Sequence, residues 1–369
     1  MQGCHLMFSL DRSKNDTSAT LDLLRAIAAQ MVCIGHGISF FVSEWRPTRL
    51  PYMQNVGVLL FFLISGFLIT YTLAERSRNP GYGFLQFFIE RFARIYSGLV
   101  PALTIIAIID GVTIYLTHDP IVLRYFTLNT MIANILMMQA YRGVSLDALQ
   151  WPAFGSASPL WTLAVEWHIY LFVASLFFMA VRPRSIPFLV PIAIFFGPTP
   201  IHFLFGAFQP DGVGKGLFTL WLGGSLVYLA MRSSVMKFVP AVAISVCGAF
   251  GFTIFAHAGA EYELRLYPLL IVVFFGLVAA TQSTHVLSSP KLGKSIGFFA
   301  DYSFSLYLVH YTIMYAVWTI SSSRGIIVLA TAVLVSNLVA IGLAEIGEKN
   351  HRRIARSLNQ KLLAAKATL

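Results

Sequence analysis

The sequence predicts an all-α, polytopic membrane protein, and three observations carry that expectation. Hydrophobic residues make up 57% of the 369 and charged residues only 11%, with a mean hydropathy of +0.72, far from the balance of a soluble globular domain. Apolar runs of about 17 to 25 residues, the length a helix needs to cross a bilayer, recur along the whole chain. The alternation of apolar and polar positions over segments of about ten residues that marks a membrane β-barrel is missing.

Taken in order, the runs give about ten expected spans: 21–42, 56–74, 95–117, 159–181, 186–206, 217–231, 238–258, 266–282, 296–319 and 326–345. Residues 125–140 are short and hold Asn129, Asn134 and Gln139, so a re-entrant or interfacial helix is expected there. The polar residues 1–20 and the basic residues 346–369 flank one membrane domain, 21–345. No small-residue cleavage site follows the first run, so that span is expected to stay in the mature protein.

The net charge of +10 is a matter of sidedness rather than of nucleic acid. With both termini cytoplasmic, eighteen Lys and Arg fall inside and seven outside, and Arg25 lies within the first span. Reading 125–140 as a full span would put the basic tail outside. The three cysteines, Cys4, Cys33 and Cys247, lack metal-ligand spacing, so neither a metal site nor a disulfide framework is expected.

Ionisable groups within apolar spans are costly and are functional candidates by default. In LDLLRAIAAQMVCIGH, Arg25 and His36 stand eleven positions apart. That is three helical turns, roughly 16 Å along one face. Snorkelling to the interface is the competing reading of Arg25 taken alone. QFFIERFARIY sets Arg91 and Arg94 one turn apart, where guanidiniums can grip phosphates or simply anchor the inner end of a span. SPLWTLAVEWHIYLF carries Trp161 and buries Glu166, a carboxylate that needs a partner such as the His36 imidazole. In DYSFSLYLVH, Ser303, Tyr307 and His310 share a face, equally suited to substrate contact and to helix packing. Ser65 and Gly66 of FFLISGFLIT read first as a close helix approach.

Together these stretches, in this order from about residue 20 to 345, resemble the acyltransferase-3 family of membrane acyltransferases, which modify O-antigen, exopolysaccharide, Nod factor and macrolides. The resemblance implies transfer of an acyl group, usually acetyl from cytoplasmic acetyl-CoA, to a hydroxyl of a surface or lipid-linked carbohydrate, or of a small molecule such as a macrolide. It implies the inner membrane as location, the bilayer and a carbohydrate acceptor as partners, and no nucleic acid. The family's arginine-to-histidine pattern falls on Arg25 and His36, its arginine-rich segment on Arg91 and Arg94, and its Trp and Glu pattern on Trp161 and Glu166. On that basis His36 and Glu166 are the expected catalytic pair, and Arg25, Arg91 and Arg94 the expected donor-binding residues. Ser65, Trp161, Ser303, Tyr307 and His310 are expected to line the cavity. Leu23, Leu59 and Ser97 depart from the family, which often has glycine, an acidic residue and proline at those places. A stand-alone enzyme without a fused esterase-like domain is the expectation. The competing class is a transporter, since Arg, Glu and His also line ion and substrate paths.

Overall fold

In the computed structural model, residues 10, 15–46, 50–142, 150–233, 236–257 and 261–367 are described, with side chains to 362. Cys4, Arg12, Lys14, Arg49 and Asp147 lie outside them, as does the Lys366 side chain. Among the described residues every regular element is helical. The helices are α1 (Thr17–Phe41), α2 (Met53–Arg76), α3 (Phe84–Thr117), α4 (Pro120–Tyr125), α5 (Leu128–Ile135), α6 (Leu160–Val181), α7 (Ile186–Phe196), α8 (Pro198–His202) and α9 (Leu217–Ser233). They continue with α10 (Phe238–Phe255), α11 (Tyr267–Thr281), α12 (Pro290–Asp301), α13 (Ser303–Ile320), α14 (Ile326–Ile346) and α15 (His351–Ala367).

Among the described residues, seven helical stretches are long and apolar enough to cross a membrane: 17–41, 53–76, 84–117, 158–181, 238–255, 264–281 and 326–362, the last owing its apolar part to α14 while α15 is basic and polar. With the family reported below, they make this a multi-pass membrane protein. Three expected spans look different in the structure. The run 186–206 is interrupted at Gly197, because Pro198 and Pro200 remove backbone donors, leaving the eleven residues of α7 and the five of α8. The run 217–231 lies in α9, only 17 residues long. The run 296–319 divides at Tyr302, which sits at φ −116°, ψ 5° and starts α13 afresh at Ser303. Residues 120–135 form two short helices, α4 and α5, neither of which can span.

The chain divides into two compact units, Met1–Gln30 with Pro47–Thr72 and Phe205–Ala300, and Met31–Arg46 with Leu73–Leu204 and Asp301–Leu369. In the first, α2 and α9 cross at interlocked glycines. A Cβ on Gly66 would fall 1.9 Å from the Trp221 carbonyl oxygen, and one on Gly224 2.1 Å from that of Leu63. Only glycine lets the two backbones approach so closely. The same unit ties Asp16, at the start of α1, to the segment after α11. Asp16 N–H donates to the Thr281 and Thr284 carbonyls at 3.1 and 3.0 Å, and its carboxylate accepts from Val286 N–H at 2.6 Å and Ser288 N–H at 2.7 Å.

In the second unit α3 is the hub, packed against α6, α13 and α15, with α14 on α13 and α7 on α6. The helix α15 is seated on α3. α15 lays Ala355 on Ile89 and Ala93 of α3, and Phe88, Leu358 and Leu362 flank the contact. Its apolar stripe is what an amphipathic helix presents to a partner helix.

Candidate functional site

Within the second unit, His36 of α1 meets α13. Its ring lies 5.4 Å, centroid to centroid, from that of His310 and 5.1 Å from that of Tyr311, edge-on to the latter. His36 is partly exposed and His310 fully buried. His310 Nδ1 is 3.0 Å from the carbonyls of both Leu306 and Tyr307. Carbonyls only accept, so Nδ1 carries a hydrogen; Nε2 is buried without a hydrogen-bond partner among the described residues, and since an unpaired buried charge is costly it keeps its lone pair. Tyr311, Phe40, Tyr315 and Trp318 continue the aromatic wall beside His36. Gly37, the next residue of α1, faces α14, where a Cβ would meet Leu329 Cδ1 at 2.5 Å.

Other expected residues are also placed in this unit. The Tyr307 hydroxyl pairs with that of Thr162 and donates to the Pro159 carbonyl at 3.1 Å, which joins α13 to the start of α6. Ser303 is buried at the first turn of α13, and Trp161 stacks on Phe203 at 6.1 Å. Glu166 accepts a hydrogen bond from Tyr170 one turn along α6 and lies within electrostatic reach of Tyr307. The neighbours that the rings of His36 meet on α13 are therefore His310 and Tyr311, while Glu166 is engaged along its own helix.

The arginines divide. Arg94 forms an ion pair with the buried Glu348 at 3.0 Å and lies over the Phe304 ring. The other oxygen of Glu348 accepts from the Ser305 N–H and hydroxyl, both at 3.0 Å. Arg91 instead faces a cleft of about 740 Å³ between α3 and α15, which Arg76, Glu90, His351, Arg352 and Arg356 also line. In the first unit, Arg25 donates to the Ala300 carbonyl at 3.2 Å and pairs with Asp22 at 3.4 Å. There Ser65 accepts from the Trp221 indole N–H at 3.1 Å, beside the Gly66 crossing. That is a packing role, as the bland reading of FFLISGFLIT expects.

Three features were not singled out from the sequence. Asp110, 1% exposed in α3, accepts from the Ser156 N–H at 2.9 Å and the Ser156 hydroxyl at 2.7 Å, and that hydroxyl bonds Thr312 at 2.8 Å. Gly155, at φ 53°, brings the loop onto this carboxylate, since a Cβ would sit 2.0 Å from Asp110 Oδ2. An acid in the middle of an apolar run is itself a visible signal. Glu348 and the arginines of α15 carry no such signal, because they read as an ordinary basic tail.

The family model described as an acyltransferase domain matches residues 18–345. The chain belongs to the acyltransferase-3 family. It is 26% identical over 319 residues to the peptidoglycan O-acetyltransferase OatA of Listeria monocytogenes, covering 80% of this chain and 49% of that protein. It is 27% identical over 318 residues to the O-acetyltransferase OatA of Staphylococcus aureus, covering 80% of this chain and 50% of that one. The chain thus spans about half the length of these curated relatives. No solved structure matches it.

Proposed function

We propose that the protein is a membrane O-acetyltransferase that moves an acetyl group from cytoplasmic acetyl-CoA to a hydroxyl of a surface or lipid-linked carbohydrate in the cytoplasmic membrane, with both termini inside. A small molecule such as a macrolide is the second acceptor class. The observation that carries this reading is the packing of His36 against His310 and Tyr311 in a chain of this family. The names of the relatives support acetyl as the acyl group and a glycan as the acceptor.

In the reaction, the His36 imidazole takes the proton of the acceptor hydroxyl. The alkoxide oxygen attacks the thioester carbonyl, the C–S bond breaks, and the CoA thiolate leaves and recovers the proton from imidazolium. Transient transfer of the acyl group to the imidazole is the other route. A neutral His310 beside His36, its N–H fixed on two carbonyls, gives the His36 ring a rigid neighbour that adds no positive charge. Glu166, the second residue of the expected catalytic pair, is held by Tyr170 and lies within reach of Tyr307, so its part in the reaction is to set the polarity of the cavity rather than to contact the His36 ring. Arg91 and Arg94 hold the phosphates of the donor, and Arg25, in the first unit, is the further donor-binding candidate. Of these, Arg91 has the open cleft, and Arg94 shares its guanidinium with Glu348.

The test is acetyl transfer from acetyl-CoA by the detergent-purified chain and its His36→Ala variant, with CoA release as a second readout. The variant is expected to elute normally on gel filtration and to lose at least about a hundredfold in rate. Full transfer by a well-folded variant would overturn the assignment. Wild-type protein that neither binds CoA nor releases it from acetyl-CoA would instead favour a transporter.

A further inference from the structure

The cleft between α3 and α15 holds more positive charge than its own carboxylate answers. Arg76 pairs with Glu90, which also accepts from the Tyr82 hydroxyl at 2.9 Å. That leaves Arg91, Arg352 and Arg356, which among the described residues have no carboxylate partner and line the same cavity. Arg352 and Arg356 stand one turn apart on α15, an arrangement of like charges that disfavours a helix on its own. The Arg91 Nε is buried without a hydrogen-bond partner. The field is felt by His351. Burial first, and then the guanidiniums of Arg94, Arg352 and Arg91, push its imidazole down to about 4. Its Nδ1 donates to the Glu348 carbonyl at 2.7 Å, so Nε2 is the nitrogen free to gain a proton.

The apolar side of α15 explains why these charges are held together rather than dispersed. Ala355 lies on Ile89 and Ala93, so the helix is fixed on α3 with its arginines beside Arg91. A tail acting only as a diffuse positive anchor has no need of such a seat. Three guanidiniums around one cavity offer paired N–H donors in the geometry that suits phosphate oxygens. A volume of about 740 Å³ lies in the range of small-molecule sites, roughly 300–1,000 Å³.

We infer that α15, which lies beyond the residues matched by the family model, forms the second wall of the donor site, with Arg352 and Arg356 joining Arg91 around the phosphate groups of the CoA nucleotide. This rests on the donor proposed above and adds to it a set of residues outside the family pattern. The recognised chemistry is a cluster of phosphate monoester and diphosphate groups. An anionic lipid headgroup carries related chemistry and is the competing source.

The experiment measures binding of CoA and of adenosine 3',5'-bisphosphate to the detergent-purified full chain by calorimetry, for wild type, R352A/R356A, R352K/R356K and K361A. Lys361 is exposed on α15 away from the cleft. Expected are a loss of at least about tenfold in affinity for both ligands in the double Ala variant, a smaller loss in the Lys variant, which keeps charge without the planar fork, and no change in K361A. Equal CoA affinity in all four would overturn the inference while leaving the donor assignment intact. Adding short-chain phosphatidylglycerol separates the sources. If wild type is stabilised by that lipid through Arg352 and Arg356 but does not bind CoA, the nucleotide site is overturned. If CoA binds through these arginines but no acetyl group is transferred, the inference stands and the transferase reading fails.

Discussion

At the His36–His310 contact the polar groups are few and set among aromatic rings, with His310 Nδ1 on backbone carbonyls and its Nε2 unpartnered among the described residues, whereas the cleft between α3 and α15 gathers four guanidiniums, of which Arg76 is paired with Glu90. The difference follows from what each place is proposed to do. A general base works best where its charge changes during the reaction and no fixed charge opposes the change. A phosphate site needs permanent charge that binding neutralises. Between them stands the Arg94–Glu348–Ser305 cluster, which fixes the start of α13 to the segment joining α14 and α15. Ser305 lies five residues before His310 on the same helix.

That connecting cluster is where the contrast is easiest to break. Glu348 is 2% exposed, so Glu348→Ala would leave Arg94 without its counter-charge and the Ser305 N–H without an acceptor. Removing one partner of a buried pair costs about 3–5 kcal/mol, and the partial exposure of Arg94 places the expected loss near the lower end. The apparent unfolding temperature in detergent should therefore fall clearly, and both CoA binding and acetyl transfer should weaken together. An unchanged unfolding temperature would mean that the two regions are not tied through this pair.

The next prediction separates the regions kinetically. His310→Phe keeps a ring of similar size beside His36 but removes both nitrogens. Acetyl transfer should drop about tenfold in kcat, at the weak end of what a positioned acid–base neighbour supplies, with little change in KM for acetyl-CoA. If KM rose instead and kcat held, His310 would belong to donor binding and the division drawn above would be wrong.

How much of this was legible in the sequence varies with how local the cause is. The apolar runs, a close helix approach at Gly66 and the shortness of 125–140 follow from residues next to one another, and each is in the structure, which adds that the partner at Gly66 is α9. His36 and His310 could be suspected singly because a histidine in an apolar run is conspicuous. Their meeting could not, since it depends on how α1 packs on α13. The break at Tyr302 has no proline or glycine to announce it. Arg94 and Arg91 look alike in sequence and differ only because Glu348, far along the chain, reaches one of them. The same holds for Arg352 and Arg356. Counted by sidedness they are ordinary tail charges, and only the seating of Ala355 on α3 turns them toward a cavity.

The smallest expected effect is a pH dependence confined to the cleft. In the free protein the His351 imidazole titrates at about 4, below its usual value near 6.5, because burial and neighbouring arginines oppose its charge. The unfolded chain therefore binds a proton more readily than the folded one, and His351 contributes a loss of stability as pH falls from about 6.5 towards 4. A bound phosphate group reverses the local field and raises the His351 value, so proton and ligand must favour each other by the same factor. CoA affinity of wild type relative to His351→Gln should then rise as pH is lowered from 7 to 5, by less than about tenfold. Protonation of the phosphate itself is common to both chains and cancels in the ratio. A ratio that stays flat would place His351 Nε2 away from the ligand, and the phosphate site would then draw on the arginines alone.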